Sequence, residues 1–355
     1  MQIQGNNYKV LFGTDYYAAL SQFINDKKYS KIVVLVDTNT SQLCLNYFLQ
    51  WLAIDVAFEI IEIEEGESNK NMETCMGVWE SLVELNIDRN ALMINLGGGV
   101  VCDLGGFVAA TYKRGIDFIN IPTTLLSMVD ASVGSKTGID LGGLKNMIGT
   151  FTEPKMVVVD PTYLESLPGN QMRSGLAEMF KHGLIADASY WEQLKHLDNL
   201  TTEDLGLLIY HSVSIKNEIV AQDPNEKGMR KLLNFGHTLG HVIETYSLSD
   251  KGLNPLLHGE AVAVGMILEA YLSFKKGLLT ENLYLEIKET LNLMFETIVF
   301  TENDIELCKS LLIHDKKNEN GVINFTLLES IGKGVINQSV ESDWINEAFN
   351  DYLNC

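Results

Sequence analysis

The sequence has little positive charge, little proline and little cysteine. Lys and Arg number 26 against 47 Asp and Glu in 355 residues, and the formal net charge is -21. A field of that sign repels phosphate backbones and anionic lipid, so we expect neither a nucleic-acid partner nor a membrane partner. With 46% hydrophobic and 21% charged residues and only 6 prolines, the composition also excludes the disordered and collagen-like classes.

The cysteines and the apolar runs bear on the compartment. The 5 cysteines are an odd set without a CxxC pair, which argues against a disulfide framework or a thiolate zinc site and favours a reducing compartment. The first ten residues lack a basic segment followed by an apolar one, and no apolar run reaches the roughly 18–20 residues of a membrane span. We therefore expect a cytoplasmic protein without a signal peptide.

The chain is about twice as long as a usual domain, which predicts two domains. Its first half alternates short apolar runs with segments of helical spacing. The predicted strands cover residues 32–36, 56–63, 91–96, 118–121 and 156–159, and the predicted helices cover residues 41–53, 69–84 and 100–112. This alternation predicts a parallel sheet with helices on both faces, whereas the glycine-rich stretch 141–149 is predicted to be a loop.

Beyond residue 160 the pattern becomes helical, and glycine and proline punctuate it. We expect a helical second domain, with one strand pair at residues 322–328 and 331–335 and a helix at the end. The boundary is predicted near residues 160–175. The chain shows no internal repeat and no low-complexity segment.

Three glycines, Gly97, Gly98 and Gly99, join a predicted buried strand to a predicted helix. Such a turn lets backbone amides approach a pyrophosphate at a helix N-terminus. A glycine triplet alone fits a tight turn without a ligand equally well. Two further features favour a dinucleotide site: Asp103 lies in the first turn of the helix, and Asp37 ends an upstream buried strand, where an adenosine ribose binds in such folds.

Two histidines, His237 and His241, are spaced to share one face of a helix. A single buried histidine is more often a hydrogen-bonded core residue, but this pair with His258 and Glu178 favours a divalent-metal site. Position 238 is Thr, so the HExxH protease signature and its general base are absent. The spacing alone does not decide which three of the four groups bind the metal.

Several cations of this acidic chain occur in glycine-rich or apolar surroundings. They are Arg114, Lys136, Lys145, Lys181, Lys216 and Arg230, and Asp130, Asn146 and Asn234 flank the same segments. Singly, each fits a surface side chain. As a set they favour a polyanionic small-molecule substrate, because desolvating several cations together is costly unless anions or acidic partners are near.

Taken together, these motifs resemble the 3-dehydroquinate synthase family, of the sugar-phosphate cyclase superfamily, over essentially the whole chain. The motifs that carry the resemblance are GGGV at 97–100 with Asp103, TYKRG at 111–115, IPTTLL at 121–126, MVDASVGSKT at 128–137, KNMIG at 145–149, GLAEMFK at 175–181, LLNFGHTLGH at 232–241, HGEAV at 258–262 and DKK at 315–317. One departure is Ser135, which replaces a glycine common in its motif and could crowd a tight turn.

The resemblance implies an α/β fold: an N-terminal Rossmann-like parallel-sheet NAD-binding domain over residues 1–165, followed by an all-α metal- and substrate-binding domain over residues 166–355. The implied metal ligands, for zinc or cobalt, are Glu178, His237 and His258. The implied NAD-site residues are Asp37, Asn39, Glu67, Lys70, Gly97, Gly98, Gly99, Asp103, Thr123, Thr124, Lys136, Lys145, Tyr163 and Ser166. The implied catalytic and substrate-binding residues are Asp130, Lys136, Lys145, Asn146, Lys181, Lys216, Arg230, Asn234, His241 and Lys316, with Lys317 as the alternative to Lys316. Arg114 is implied to reach the neighbouring subunit's phosphate site, so a homodimer is expected.

The reaction implied by the resemblance converts 3-deoxy-D-arabino-heptulosonate 7-phosphate into 3-dehydroquinate and phosphate. It is a lyase reaction of the shikimate pathway to chorismate and the aromatic amino acids. It runs through transient NAD oxidation, β-elimination of phosphate, re-reduction and intramolecular aldol closure. Lys136 and His241 are the candidates for proton handling near the phosphate.

Three alternatives remain at this point: a cyclase acting on sedoheptulose 7-phosphate or glucose 6-phosphate, a metal-dependent polyol dehydrogenase, and an inactive binding protein. Arg230 and Asn234 pair with a substrate carboxylate in the family, which disfavours the first alternative. The phosphate-type cations disfavour the second. The third is the weakest, since every expected ligand position is filled.

Overall fold

The computed structural model describes residues 1–142, 144–197, 200–248, 255–312 and 323–353. The chain divides into two units, Met1–Pro168 with Leu200–Asn217, and Gly169–Asn199 with Glu218–Cys355. The segment 200–217 thus groups with the first unit, although it falls within the predicted second domain. None of the helices in the described ranges is long and apolar enough to cross a membrane.

The first unit is built on a seven-stranded sheet. Its strands are β1 (Gln2–Gln4), β2 (Lys9–Phe12), β3 (Ile32–Asp37), β4 (Phe58–Ile63), β5 (Leu92–Gly97), β6 (Asp117–Pro122) and β9 (Met156–Val159), and β7 (Lys136–Leu141) and β8 (Leu144–Phe151) form a separate hairpin. The order in the sheet is β1-β2-β9-β6-β5-β3-β4, and every neighbouring pair except β1 and β2 is parallel. The predicted parallel sheet is confirmed.

Helices and short helical turns connect these strands. The helices are α1 (Tyr16–Lys27), α2 (Thr38–Leu43), α3 (Leu45–Trp51), α4 (Met72–Glu84) and α5 (Gly99–Thr111), and α8 (Thr202–Gln222) begins in this unit. The short helical turns are Glu67–Asn69, Tyr112–Arg114, Ser127–Ala131 and Pro161–Ser166. Every residue of β5 is buried, as expected of a central strand of a parallel sheet covered on both faces.

The predicted helix over residues 41–53 is wrong in its bounds, because the chain forms two helices there, α2 and α3. The N-cap residue of α2 explains why this helix begins earlier than predicted. Oδ1 of Asp37 accepts the Thr40 amide at 2.8 Å, so α2 begins directly after β3. A second helix then begins beyond Cys44, which lies between α2 and α3.

The predicted loop over residues 141–149 is also wrong, since β8 covers most of it and pairs with β7. The glycines that suggested a loop permit close strand pairing instead. A Cβ at Gly149 would lie 2.2 Å from the Thr137 carbonyl oxygen, and one at Gly138 would lie 2.9 Å from the Ile148 carbonyl oxygen. Glycine is therefore required where the two backbones approach each other.

The second unit is mainly helical. Its helices are α6 (Gly169–Ala186), α7 (Ala188–Leu194), α9 (His237–Ser247), α10 (His258–Lys275), α11 (Glu281–Met294), α12 (Glu302–Leu312) and α13 (Ser342–Leu353), with a helical turn at Met229–Asn234. Helix α10 is buried on most sides and packs against α6, α9, α11 and α13. The predicted strand pair is present as β10 (Phe325–Ser330) and β11 (Lys333–Gln338), so the unit is not entirely helical; Val322 lies outside the described residues.

Glycines set the distance between α9 and α10. A Cβ at Gly265 of α10 would lie 2.0 Å from the Gly236 carbonyl oxygen and 2.7 Å from the Gly240 amide nitrogen. The carboxylate of Glu269, one turn further along α10, accepts the Gly236 amide at 2.7 Å and the Leu239 amide at 3.1 Å. Because the first residues of α9 and α10 are histidines, this contact also sets where those imidazoles lie.

Candidate functional site

The glycine turn lies between β5 and α5, where the sequence predicts it. Gly97 ends β5, Gly98 occupies the N-cap position and Gly99 begins α5. A Cβ at Gly97 would lie 2.6 Å from the Val101 side chain, and one at Gly98 would lie 3.1 Å from Thr124. Among the described residues no side chain caps α5, so this N-terminus suits an anion such as a pyrophosphate.

Other predicted NAD-site residues lie at the same edge of the sheet. Thr123 follows β6, the neighbour of β5, and its amide donates to the Gly97 carbonyl oxygen at 3.0 Å. Asp37 ends β3, the other neighbour of β5, and its carboxylate caps α2. Asn39 is exposed in α2. The carboxyl edge of a parallel sheet, at the ends of adjacent strands, is where ligands bind in open α/β folds.

Lys70 is buried beside the glycine turn's helix and joins two predicted site residues. Its Nζ donates to Oδ2 of Asp103 at 2.6 Å and to Oδ1 of Asn146 at 2.7 Å. Burial disfavours the charged ammonium, but the Asp103 and Glu67 carboxylates outweigh burial and raise the pKa of Lys70. Burial raises the pKa of Asp103, against the effect of Lys70. Lys145 pairs with Glu67 at 3.1 Å.

Asp140 also belongs to this cluster, although no pattern in the sequence pointed to it. Its Oδ1 accepts the amide of Asn146 at 2.7 Å, and its own amide donates to the Lys70 carbonyl oxygen at 2.8 Å. Burial raises the pKa of Asp140. The residue lies next to a stretch predicted to be a loop, so no strand register indicated its partner; a hairpin prediction would have pointed to it.

Lys216 and Asp130, two predicted substrate residues of the first unit, form a pair. Lys216 is buried in α8, and its Nζ donates to Oδ1 of Asp130 at 2.6 Å and to the Asp130 carbonyl oxygen at 2.5 Å. Lys136 is exposed at the start of β7 and directly follows Ser135. Ser135 has φ 64°, so the loop holds a side chain in the left-handed region that favours glycine.

Of two further predicted residues, Tyr163 is buried and Arg114 is exposed. Tyr163 is buried, and its hydroxyl lies 2.9 Å from the Tyr17 hydroxyl, while its carbonyl oxygen accepts a hydrogen bond from Ser166 at 3.2 Å. Arg114 is exposed in a turn where both it and Lys113 have positive φ. The turn thus directs Arg114 toward solvent in a conformation that side chains rarely adopt.

In the second unit, α6, α9 and α10 bring the predicted metal ligands together. Oε1 of Glu178 lies 3.3 Å from Nε2 of His237 and 3.5 Å from Nε2 of His258. Around a tetrahedral zinc with bonds of about 2.0–2.1 Å, neighbouring ligand atoms lie roughly 3.3–3.4 Å apart. Among the described residues, the fully buried Glu178 Oε1 has no hydrogen-bond partner. The three atoms therefore fit one shared cation.

Neighbouring groups orient these ligands. Nδ1 of His237 lies 3.0 Å from the Phe235 carbonyl oxygen, and Nδ1 of His258 lies 3.2 Å from Oε2 of Glu244, a residue that the sequence analysis missed. Each contact directs Nε2 toward Glu178. The ligand atom of His241 also lies within 4.8 Å of those of the other two histidines, so four groups converge.

Lys181 controls the charge of Glu178. Its Nζ donates to Oε2 of Glu178, which leaves Oε1 facing the histidines. Burial alone would raise the pKa of Glu178, but the Lys181 ammonium and His237 hold it well below its usual range. Burial, with help from Lys181, lowers the pKa of His237. At Glu178 and His237 these shifts favour the ionised carboxylate and the neutral imidazole that a divalent metal requires. Burial would also lower the pKa of His258, but Glu244 and Glu178 outweigh it and raise that pKa to about 10, so a metal bound by His258 displaces a proton.

The remaining predicted residues of this unit lie near the turn Met229–Asn234. Arg230 is buried, and its Nη1 donates to the Pro224 carbonyl oxygen at 2.7 Å. Asn234 donates to Oε1 of Glu226 at 3.0 Å. Lys316 and Lys317 lie outside the described residues.

Comparison with solved structures supports the class that this fold and these sites define. The chain superposes with a TM-score of 0.86 on a 2-deoxy-scyllo-inosose synthase complexed with carbaglucose-6-phosphate, NAD+ and Co2+, at 23% identity over 99% of this chain and 100% of that one. It superposes with a TM-score of 0.82 on the 2-epi-5-epi-valiolone synthase ValA from Streptomyces hygroscopicus subsp. jinggangensis 5008 with NAD+ and Zn2+ bound, at 28% identity over 99% and 98% of the two chains. The chain has the fold of the sugar-phosphate cyclases.

Sequence comparison narrows the class to a family. Residues 60–174 match the 3-dehydroquinate synthase N-terminal model, and residues 175–318 match the C-terminal model. A 3-dehydroquinate synthase from Parabacteroides distasonis is 42% identical over 347 residues, 97% of each chain. The chain belongs to the 3-dehydroquinate synthase family, as its motifs predict.

Proposed function

We propose that the chain catalyses the reaction of its family, converting 3-deoxy-D-arabino-heptulosonate 7-phosphate into 3-dehydroquinate and phosphate. The observation that carries this proposal is the arrangement around Glu178 Oε1, a buried anionic oxygen without a hydrogen-bond donor among the described residues and with two imidazole nitrogens 3.3 and 3.5 Å away. Family membership at 42% identity supplies the substrate.

We assign the metal to Glu178, His237 and His258, with zinc or cobalt as the ion. The Nδ1 contacts of the two histidines support this choice, since both leave Nε2 directed at Glu178. His241 is then left for proton handling at the substrate. When bound, NAD+ would supply a hydride acceptor and the metal a Lewis acid at the substrate hydroxyls.

The domain roles follow the two units. The α/β unit, with the glycine turn, Asp37, Thr123 and the Lys70–Asp103 pair, would hold NAD. In this unit, Nζ of Lys70 donates to Oδ2 of Asp103 at 2.6 Å. Because the ammonium stabilises the ionised carboxylate, this contact supports a role for Asp103 as a hydrogen-bond acceptor for ligand hydroxyls. The helical unit would hold the metal.

The cations would bind the anionic ends of the substrate. We assign Lys136, Lys145, Lys181 and Lys216 to the substrate, and Lys136 with His241 to proton transfer near the phosphate. We assign Arg230 and Asn234 to a substrate carboxylate, as in the family; Arg230 is buried, and its Nη1 donates to the Pro224 carbonyl oxygen at 2.7 Å. This assignment favours a substrate with a carboxylate over sedoheptulose 7-phosphate.

The test is phosphate release from purified protein supplied with 3-deoxy-D-arabino-heptulosonate 7-phosphate, NAD and zinc, with NADH absorbance followed in parallel. We expect stoichiometric phosphate, no net NADH and loss of activity with a chelator. Glu178→Gln should lose metal and activity together, whereas Glu192→Gln, an exposed change in α7, should lose neither. Net formation of NADH from polyols would contradict the proposal. Phosphate release from sedoheptulose 7-phosphate but not from 3-deoxy-D-arabino-heptulosonate 7-phosphate would identify a cyclase of the sedoheptulose 7-phosphate type.

A cytoplasmic homodimer with Arg114 reaching the neighbouring site belongs to the same proposal. Its support is the exposure of Arg114 and the exposed apolar side chains of the β7–β8 hairpin, Leu141, Leu144, Met147 and Phe151. If Arg114 acts in trans, mixing inactive Arg114→Ala with inactive Glu178→Gln should restore part of the activity. Light scattering that shows a monomer, or no recovery on mixing and subunit exchange, would contradict it.

A further inference from the structure

We propose that Asp140 is a positioning residue for the NAD site, acting through the backbone of Asn146 and the side chain of Lys70. The inference rests on the proposed function, because it takes Lys70 and Asn146 as cofactor- or substrate-binding residues. Asp140 itself hydrogen-bonds both strands of the β7–β8 hairpin to each other and β7 to the segment that carries Lys70.

The contacts form a closed ring. The Asp140 amide donates to the Lys70 carbonyl oxygen at 2.8 Å, and Oδ1 of Asp140 accepts the Asn146 amide at 2.7 Å. The Asn146 carboxamide oxygen then accepts from Nζ of Lys70 at 2.7 Å, which closes the ring. All three residues lie in the first unit.

The backbone around this ring departs from regular pairing. The register between β7 and β8 shifts between Ile139 and Leu141, so Asp140 lies at the irregularity. Asn146, on the opposite strand, has φ 53°, in the left-handed region. A non-glycine residue keeps that conformation only when its surroundings hold it, and the Asp140 carboxylate supplies the hydrogen bond that does so.

The ring of Asp140, Asn146 and Lys70 contacts residues that we assign to NAD and substrate binding. Lys70 also donates to Oδ2 of Asp103 at 2.6 Å, next to the glycine turn, and Lys145, the neighbour of Asn146, pairs with Glu67. Without the Asp140 acceptor, Asn146 can leave the left-handed conformation. Lys70 then loses one of the two side-chain acceptors that the described residues give it, and the strand that carries Lys145 loses one of its contacts to β7.

The test compares NAD+ binding by titration calorimetry for the wild type and three variants. Asp140→Ala removes the acceptor, and we expect its Kd to rise about tenfold, a change of about 1.4 kcal/mol. Asp140→Asn keeps an acceptor oxygen at the same place, so its Kd should stay within about threefold of the wild type. Thr150→Val is the matched control, because it removes the 2.8 Å hydroxyl contact to Thr137 in the same hairpin without touching the ring.

The outcomes separate this inference from the proposed function. If the wild type binds no NAD+, the proposed function fails, and this inference fails with it. If the wild type binds NAD+ and Asp140→Ala binds equally well, only the inference is overturned. It is also overturned if Thr150→Val weakens binding as much as Asp140→Ala, or if Asp140→Asn fails to rescue. Thermal melting of each variant checks that the compared proteins are folded.

Discussion

Replacing Gly265 with alanine tests whether the close approach of α9 and α10 sets the metal-binding geometry. The added Cβ would lie 2.0 Å from the Gly236 carbonyl oxygen and 2.7 Å from the Gly240 amide nitrogen, both backbone atoms that cannot rotate away. Restoring ordinary contact requires the helices to separate by roughly 1.4 Å at this point. Overpacking of this kind lowers the free energy of unfolding by about 1–3 kcal/mol.

The separation would also move His237 relative to His258, since these residues begin the two helices. A metal site tolerates errors of only about 0.2 Å in its ligand distances. We therefore expect Gly265→Ala to lower zinc affinity at least about 100-fold. NAD+ affinity should stay near that of the wild type, because the glycine turn belongs to the other unit.

The assay is a zinc titration against a chromophoric chelator, with NAD+ binding and thermal melting measured on the same samples. Gly77→Ala in α4 is the matched control, because a Cβ at Gly77 meets nothing within 4 Å. That control should keep its zinc affinity and gain up to about 1 kcal/mol of stability. If Gly265→Ala bound zinc within twofold of the wild type, the spacing argument would be refuted.

Three more predictions follow from single contacts. Ser135→Gly should raise the free energy of unfolding by about 0.5–1 kcal/mol, since φ is 64° there, and a lower melting temperature would contradict the strain. Burial raises the pKa of Asp304, but hydrogen bonds from Tyr246 and Thr301 outweigh it and hold that pKa below its ordinary value. The stabilisation by ionised Asp304 is therefore complete above the unfolded-state pKa of about 3.9 and is lost as the pH falls through the lower folded-state pKa. The difference in free energy of unfolding between the wild type and Asp304→Asn should therefore shrink between roughly pH 5 and pH 2.5. A difference that stays constant over this range would contradict the prediction. His241→Ala should keep one zinc per chain in a metal assay and lose turnover, and a change in substrate affinity alone would rule out its proton role.

Local patterns in the sequence predicted much of the first unit. Strand β3 is apolar from Ile32 to Val36, β5 is apolar up to Leu96 except for Asn95, and the glycine triplet begins at the last residue of β5. Each of these signals comes from residues that are neighbours in the chain. The helical spacing of His237 and His241 is local in the same way. Where a local signal was ambiguous, prediction failed: the glycines of residues 141–149 suggested a loop, whereas Gly138 and Gly149 face each other across a hairpin.

The sequence by itself thus determined the parallel sheet, the glycine turn, the helical character of the second half and the family, because each shows in short segments whose own residues are neighbours in the chain. The tertiary structure alone decided that Glu178 Oε1 faces two imidazole nitrogens, that Glu244 and Glu269 support those histidines, and that Asp140 holds Asn146. These contacts join residues on different elements. Their geometry follows from how closely helices and strands approach, which no local pattern in the sequence specifies.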